Sequence, residues 1–322
     1  MKKLLLLSLT ALALNAHAKA VKIGYIALPS HAPTVLAYEQ GYFQEAGLSE
    51  VELVKFQAAQ PMAVAIASGD IDYGITAVTG GLLNLAVRSD NIQIIGGALR
   101  EEADTVGHKI VVSTAKYADI NEPKALSGKT FAITTKGSSL EYMGEAMAKA
   151  EGIDVQMMTF NTIPAIAAAL QKGEVAASSL QPSMADKLIA EGSVKEIKAL
   201  KSYLPDYQVT VLFTSREKQS ALPDEVTAFK QGFAKGVADY QAGYVEKSLN
   251  AEQLRALTEK LHRHLYTEQT IDQAESLLSQ GAMAFSKDGE LNREDVLKQV
   301  QWFKDKGLVP ADFDGSRLFV SP

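Results

Sequence analysis

The stretch that decides the fold runs from Ile23 to Leu53: Ile23-Gly24-Tyr25-Ile26, then Pro29-Ser30-His31, then a run closing on Gly41-Tyr42-Phe43-Gln44-Glu45-Ala46-Gly47-Leu48. The first four residues read as a short buried strand, β-branched and aromatic, bounded by Pro29 and Ser30. A helix follows, with Ser30 as its cap and Pro33 in its first turn, where a missing N–H costs nothing. Val35, Leu36, Tyr38, Tyr42 and Phe43 give it an apolar face, and Gly47 ends it in the left-handed conformation. Val51-Glu52-Leu53-Val54 then starts a second strand. The unit is β–α–β, with its first turn open for binding.

Working outward, the same unit recurs. After Gly47 come a strand ending at Phe56, a helix 61–68, Ser68-Gly69-Asp70 and a strand Ile71–Ile75. A second series starts at Thr130-Phe131-Ala132-Ile133 and runs through a helix 138–150, Gly152, a strand ending at Phe160, a helix 164–171, Lys172-Gly173-Glu174 and a strand Val175–Ser178. Phe56 matches Phe160, and Gly69 matches Gly173, at one offset of about a hundred residues. Two βαβαβ series predict an α/β protein of two lobes with mostly parallel sheets. Residues 108–113 and 208–214 read as two hinge crossings, which leaves 19–107 plus 215–322 as lobe one and 114–207 as lobe two. After Pro223 the periodicity is helical, over Asp224–Glu246, Ala251–Leu265, Thr267–Phe285 and Arg293–Lys306.

The Gly-Tyr-Phe-x-x-x-Gly-Leu run after a strand and helix resembles the opening of the periplasmic substrate-binding proteins of ABC importers, in the branch that takes up sulfonates, taurine, nitrate or thiamine-pyrimidine precursors. Leu126-x-Gly128-Lys129-Thr130 and Lys306-Gly307-Leu308 extend the likeness over nearly the whole chain. The resemblance implies the two-lobed periplasmic binding protein fold of type II, a small-molecule ligand held between the lobes, and delivery to an inner-membrane permease with its ATPase. It also implies a monomer that works without a cofactor and makes no bond.

Composition agrees with that class. The 322 residues are 47% hydrophobic and 22% charged, enough for two ordinary domains. Met1-Lys2-Lys3, the apolar run Leu4–Leu14 and Ala16-His17-Ala18 read as a signal peptide over residues 1–18, too short to span a bilayer. The predicted location is therefore the periplasm. Without cysteine there is no disulfide, lipid attachment site or thiol chemistry. The net charge of −6 becomes −8 once Lys2 and Lys3 are removed, with 30 basic against 38 acidic residues, which argues against nucleic acid.

Ligands in open parallel sheets bind beyond the carboxyl ends of strands, at helix N-termini. The residues that follow each predicted strand are Ser30, His31 and Thr34; Gln57 and Gln60; Thr76 and Thr79 with Gly80-Gly81; then Thr135, Lys136, Ser138 and Ser139; Asn161 and Thr162; and Gln181-Pro182-Ser183. Each of the hydroxyl and amide residues also suits plain helix capping, so the prediction rests on their converging on one cleft. Arg100, after the strand Ile92–Ile95, is the candidate partner for a sulfonate or carboxylate. Tyr203 and Tyr207 flank Pro205 and read as an aromatic lid.

No metal site is predicted: His262 and His264 lie on different sides of a helix, and the tyrosine pair lacks accompanying ligands. There is no P-loop, nucleophile–base pair or carboxylate dyad. The alternatives from another class are a periplasmic ligand sensor and a pyrimidine-synthase-like enzyme. The second would need the cysteine cluster this chain lacks.

Overall fold

The computed structural model describes residues 20–102 and 105–320; the leader read at 1–18 lies outside the described residues. The chain forms strands β1 (Val21–Ile26), β2 (Val51–Phe56), β3 (Tyr73–Ala77), β4 (Gln93–Gly97), β5 (Leu99–Arg100), β6 (Lys109–Ser113), β7 (Thr130–Ile133), β8 (Gln156–Thr159), β9 (Ala177–Leu180), β10 (Val194–Ala199), β11 (Thr210–Thr214) and β12 (Ala284–Phe285). Two five-stranded sheets result, in the orders β2-β1-β3-β11-β4 and β10-β6-β9-β7-β8.

Turned end for end, the second order is β8-β7-β9-β6-β10, the same plan as the first. In each sheet the fourth strand comes from elsewhere in the chain and runs antiparallel to both neighbours. The first three strands are parallel, β1 pairing with β2 and β3, and β7 with β8 and β9. The predicted repeat is thus a repeat of sheet order. Gly69 and Gly173 both close their helices, Ala59–Ser68 and Ile163–Lys172, at positive φ (76° and 67°). The strand after each starts two residues later than its sequence pattern indicates, because backbone N–H groups first return to the helix, Asp70 and Ile71 to the Ala65 carbonyl and Glu174 to the Ala169 carbonyl.

The stretches 108–113 and 208–214, read as crossings, supply β6 and β11, each built into one sheet. The links between sheets precede them, and they hold each other. Glu101 N–H donates to Tyr207 O at 2.9 Å, Val209 N–H to Leu99 O at 2.9 Å, and Leu200 N–H to His108 O at 2.8 Å.

The decisive first helix also differs from its reading. Gly41 adopts φ 78° and divides it into Ala32–Glu39 and Tyr42–Glu45, after a 3-10 turn at Pro29–His31. Ser30 does not cap it. The long helix Pro223–Tyr240 packs across this unit, with Phe229 stacked between Phe43 and Tyr73 at 5.6 and 4.2 Å. No helix among the described residues is long and apolar enough to cross a membrane.

Candidate functional site

A cavity of about 1140 Å³ lies between the two sheets, lined from both. Its wall is made where the parallel strands end and helices begin. From the first sheet come Ser30 and His31 after β1, Gln57 and Gln60 after β2, and Thr76, Thr79 and Gly81 at the end of β3. From the second come Thr135, Lys136, Ser138 and Ser139 after β7, Asn161 and Thr162 after β8, and Gln181 and Ser183 after β9.

Side-chain oxygens of three of these residues cap their own helices: Thr79 accepts from Leu82 N–H at 3.2 Å, Ser138 from Glu141 N–H at 3.4 Å, and Thr162 from Ala165 N–H at 3.3 Å. Each hydroxyl hydrogen stays available to another acceptor. At the start of the helix Ser139–Glu151, Glu141 also accepts from Gly137 N–H at 2.5 Å, so that helix start already has a carboxylate of its own.

Ser30 and Gln181 meet across the cleft, the Gln181 amide donating to Ser30 Oγ at 3.1 Å. Gly80 N–H donates to Gly137 O at 2.9 Å, a second tie between the lobes. The lobes are drawn together over the cavity.

The charged residues of the lining, Lys55, Asp70, Lys136, Lys187 and Glu268, are all exposed and sit at the rim. The polar groups of the buried wall come from Ser30, His31, Thr76, His108, Ser138, Ser179, Ser183, Thr210 and Tyr266, set among Ala65, Leu140, Leu180 and Val209. Burial pushes the His31 imidazole down to about 3, so it is neutral at physiological pH. His31 Nδ1, Ser179 Oγ and Gln181 Oε1 are buried without a protein hydrogen-bond partner. Such groups are costly unless a solute or water meets them, by about 1–3 kcal/mol each. Among the described residues there is no cluster of three metal-ligating side chains.

Nine of the twelve residues singled out as binding candidates therefore line one cavity: Ser30, His31, Gln57, Thr76, Thr79, Ser138, Ser139, Asn161 and Gln181. Thr34, Arg100 and Tyr207 do not. Thr34 faces the interior one turn into its helix, fully buried. Arg100 lies in β5, which pairs with β12, and its charged neighbour is Glu102 at 3.9 Å. Tyr207 is buried on the return link against Tyr142, with ring centroids 5.4 Å apart, so it is packing rather than a lid.

The lining also includes His108, Ser179, Val209, Thr210 and Tyr266, none of which the strand-end reading selects. His108, Val209 and Thr210 stand at the starts of the antiparallel strands β6 and β11, which share a sheet edge with the ends of the parallel ones. Strand direction is the signal that would have found them.

Residues 28–243 match the model of the family described as NMT1/THI5 like. No curated protein sequence gives a significant match. Among solved structures, the chain resembles the alkanesulfonate-binding protein SsuA of Xanthomonas axonopodis pv. citri bound to MOPS, at TM-score 0.74 and 17% identity over 95% of this chain and 99% of that one. It resembles the periplasmic aliphatic sulphonate binding protein SsuA of Escherichia coli at 0.73 and 20%, over 95% and 93%. The periplasmic nitrate-binding protein NrtA of Synechocystis PCC 6803 follows at 0.69 and 12%, over 92% and 84%. At these identities the likeness is one of fold, and the fold is that of the periplasmic solute-binding proteins.

Proposed function

Because the chain belongs to the NMT1/THI5-like family, we propose that it is the solute-binding component of an ABC importer. It works in the periplasm after loss of residues 1–18, as a monomer, and passes its solute to a permease driven by an ATPase. The solute is a small organic anion of the sulfonate or taurine type. Binding is by closure of the lobes, with no bond made or broken.

The observation that carries this reading is the cavity between two matching sheets, where helices start on both sides and the buried wall, among the described residues, mixes polar and apolar groups without a carboxylate, lysine or arginine. Helix N-termini favour an oxyanion by roughly 0.3–1 kcal/mol each, and among the described residues no buried lysine or arginine lines the wall to do it instead. A second reading, an aminopyrimidine precursor of thiamine, draws on the same neutral wall. It gains from the Tyr266 ring in the lining and the free acceptor Gln181 Oε1.

The test is thermal unfolding of the mature protein against taurine, alkanesulfonates, nitrate and pyrimidines. A solute at a hundred times its Kd stabilises by about 2.7 kcal/mol and raises Tm measurably. No shift with any small solute would remove the binding reading.

A further inference from the structure

The link before β6 carries a buried, hydrogen-bonded Glu101–His108 pair, of which His108 lines the cavity. Glu101, 1% exposed, accepts from the His108 backbone N–H at 3.0 and 3.2 Å and sits 2.6 Å from His108 Nδ1. With the carboxylate oxygen as acceptor, Nδ1 carries the hydrogen, and in that tautomer the ring's lone pair lies on Nε2. His108 lines the cavity, and among the described residues its ring nitrogens have one hydrogen-bond partner, Glu101 at Nδ1. The pairing of Lys109 with Leu180 puts His108 opposite Gln181 at the sheet edge. There the buried Gln181 Oε1 is a second unpartnered acceptor, since the amide nitrogen is engaged by Ser30. The hinge end of the cavity thus presents acceptors, while the helix starts present N–H donors.

We infer that the hinge end is a subsite for the hydrogen-bond-donating end of the solute, an amine or amino-heterocycle N–H, received by His108 with Glu101 as its positioning residue. This rests on the solute-binding reading above. An aminoalkanesulfonate would lay its amine here and its sulfonate against the helix starts; an aminopyrimidine would place its exocyclic amine here.

Titration calorimetry on the mature protein tests it with two ligand pairs: taurine against ethanesulfonate, and an aminopyrimidine against the analogue with oxygen in place of the amine. In the pair that binds, the amine member binds at least about tenfold tighter. His108→Gln weakens the amine member by about tenfold or more and leaves its partner within about twofold. Glu101→Gln weakens it in the same ligand-dependent way, which a purely structural role would not do. His108→Asn repeats the comparison if His108→Gln loses cooperative unfolding. Equal losses for both members of a pair, or no preference for the amine, overturn the subsite and leave the binding reading intact. Binding of neither pair overturns the subsite and the proposed ligand classes together.

Discussion

His31 closes the 3-10 turn after β1 at 2% exposure, and burial holds its folded pKa at about 3 against an ordinary 6.5. Unfolded, the ring takes up a proton below about pH 6.5; folded, it does not until far lower. Its contribution to stability is therefore whole above 6.5 and is lost as pH falls from there towards 3, at up to about 1.4 kcal/mol per pH unit. His31→Gln removes that dependence. Urea unfolding at pH 7.5 and 5.5 should show a smaller loss for the variant than for the parent chain, by about 1 kcal/mol. An unchanged loss would mean the imidazole is not held neutral. Residue types and strand ends made His31 legible in the sequence, as they did Ser138 and Gln181. They misplaced Arg100 because the chain after β4 does not open into the cleft: Ser286 N–H bonds Ala98 O at 2.7 Å, and β12 covers β5. They passed over His108 because nothing in the sequence marks Glu101 and His108 as partners before the links fold against each other.

The helix Pro223–Tyr240 crosses the two pieces of the divided first helix at two glycines one turn apart, Gly232 at Tyr42–Glu45 and Gly236 at Ala32–Glu39. A Cβ on Gly232 would lie 2.5 Å from Phe43 Cδ1, and one on Gly236 would overlap the Pro33 carbonyl oxygen. Glycine inside a helix costs about 1 kcal/mol relative to alanine, so the close approach has to offset that. Gly236→Ala gains the propensity but meets main chain that cannot swing aside, and overpacking of this kind costs typically 1–3 kcal/mol or more. The expected net is a loss of about 1–2 kcal/mol, read as a lower urea midpoint at unchanged slope. A midpoint equal to or above the parent's would show that the two helices can part freely. At this scale the sequence was most legible where caps and period agree: Ala251–Leu265 forms over its predicted residues, behind the Asn250–Gln253 capping box. Thr267–Phe285 shrank to Ile271–Gln280 although Thr270 and Gln273 form the same box, because apolar spacing alone cannot separate a helix end from the short strand β12 beyond it. Gly41 broke a helix that period alone would carry through.

The doubled βαβαβ series was legible in the whole chain because both halves keep the same glycine-ended helices, but the sheet order and which face closes on which depend on contacts that no repeat encodes. Beyond the links and the ties at Ser30–Gln181 and Gly80–Gly137, the lobes also meet at Glu145 on the helix Ser139–Glu151. It accepts from Trp302 Nε1 at 3.0 Å and pairs with Lys306, while Tyr142 of the same helix packs edge-on to Trp302 at 5.3 Å. The ion pair, with both partners near a third exposed, is worth at most about 1 kcal/mol. The indole hydrogen bond to a carboxylate adds up to roughly 1.5–3 kcal/mol. These contacts join the lobes as they stand in this structure, so they bias the lobes towards that arrangement without touching the cavity lining. Glu145→Ala should then lower the closed fraction of the solute-free protein and raise the apparent Kd in inverse proportion, by about fivefold for the ion pair alone and further with the indole hydrogen bond lost. The factor should be the same for every solute, unlike the ligand-dependent loss expected of His108→Gln. Glu145→Gln keeps an acceptor for the indole and should fall between the two. Solution scattering should give the solute-free Glu145→Ala protein a larger radius of gyration, and stopped-flow release should be faster. Unchanged scattering together with unchanged affinity would mean that Trp302 and Lys306 rest on lobe two without holding it.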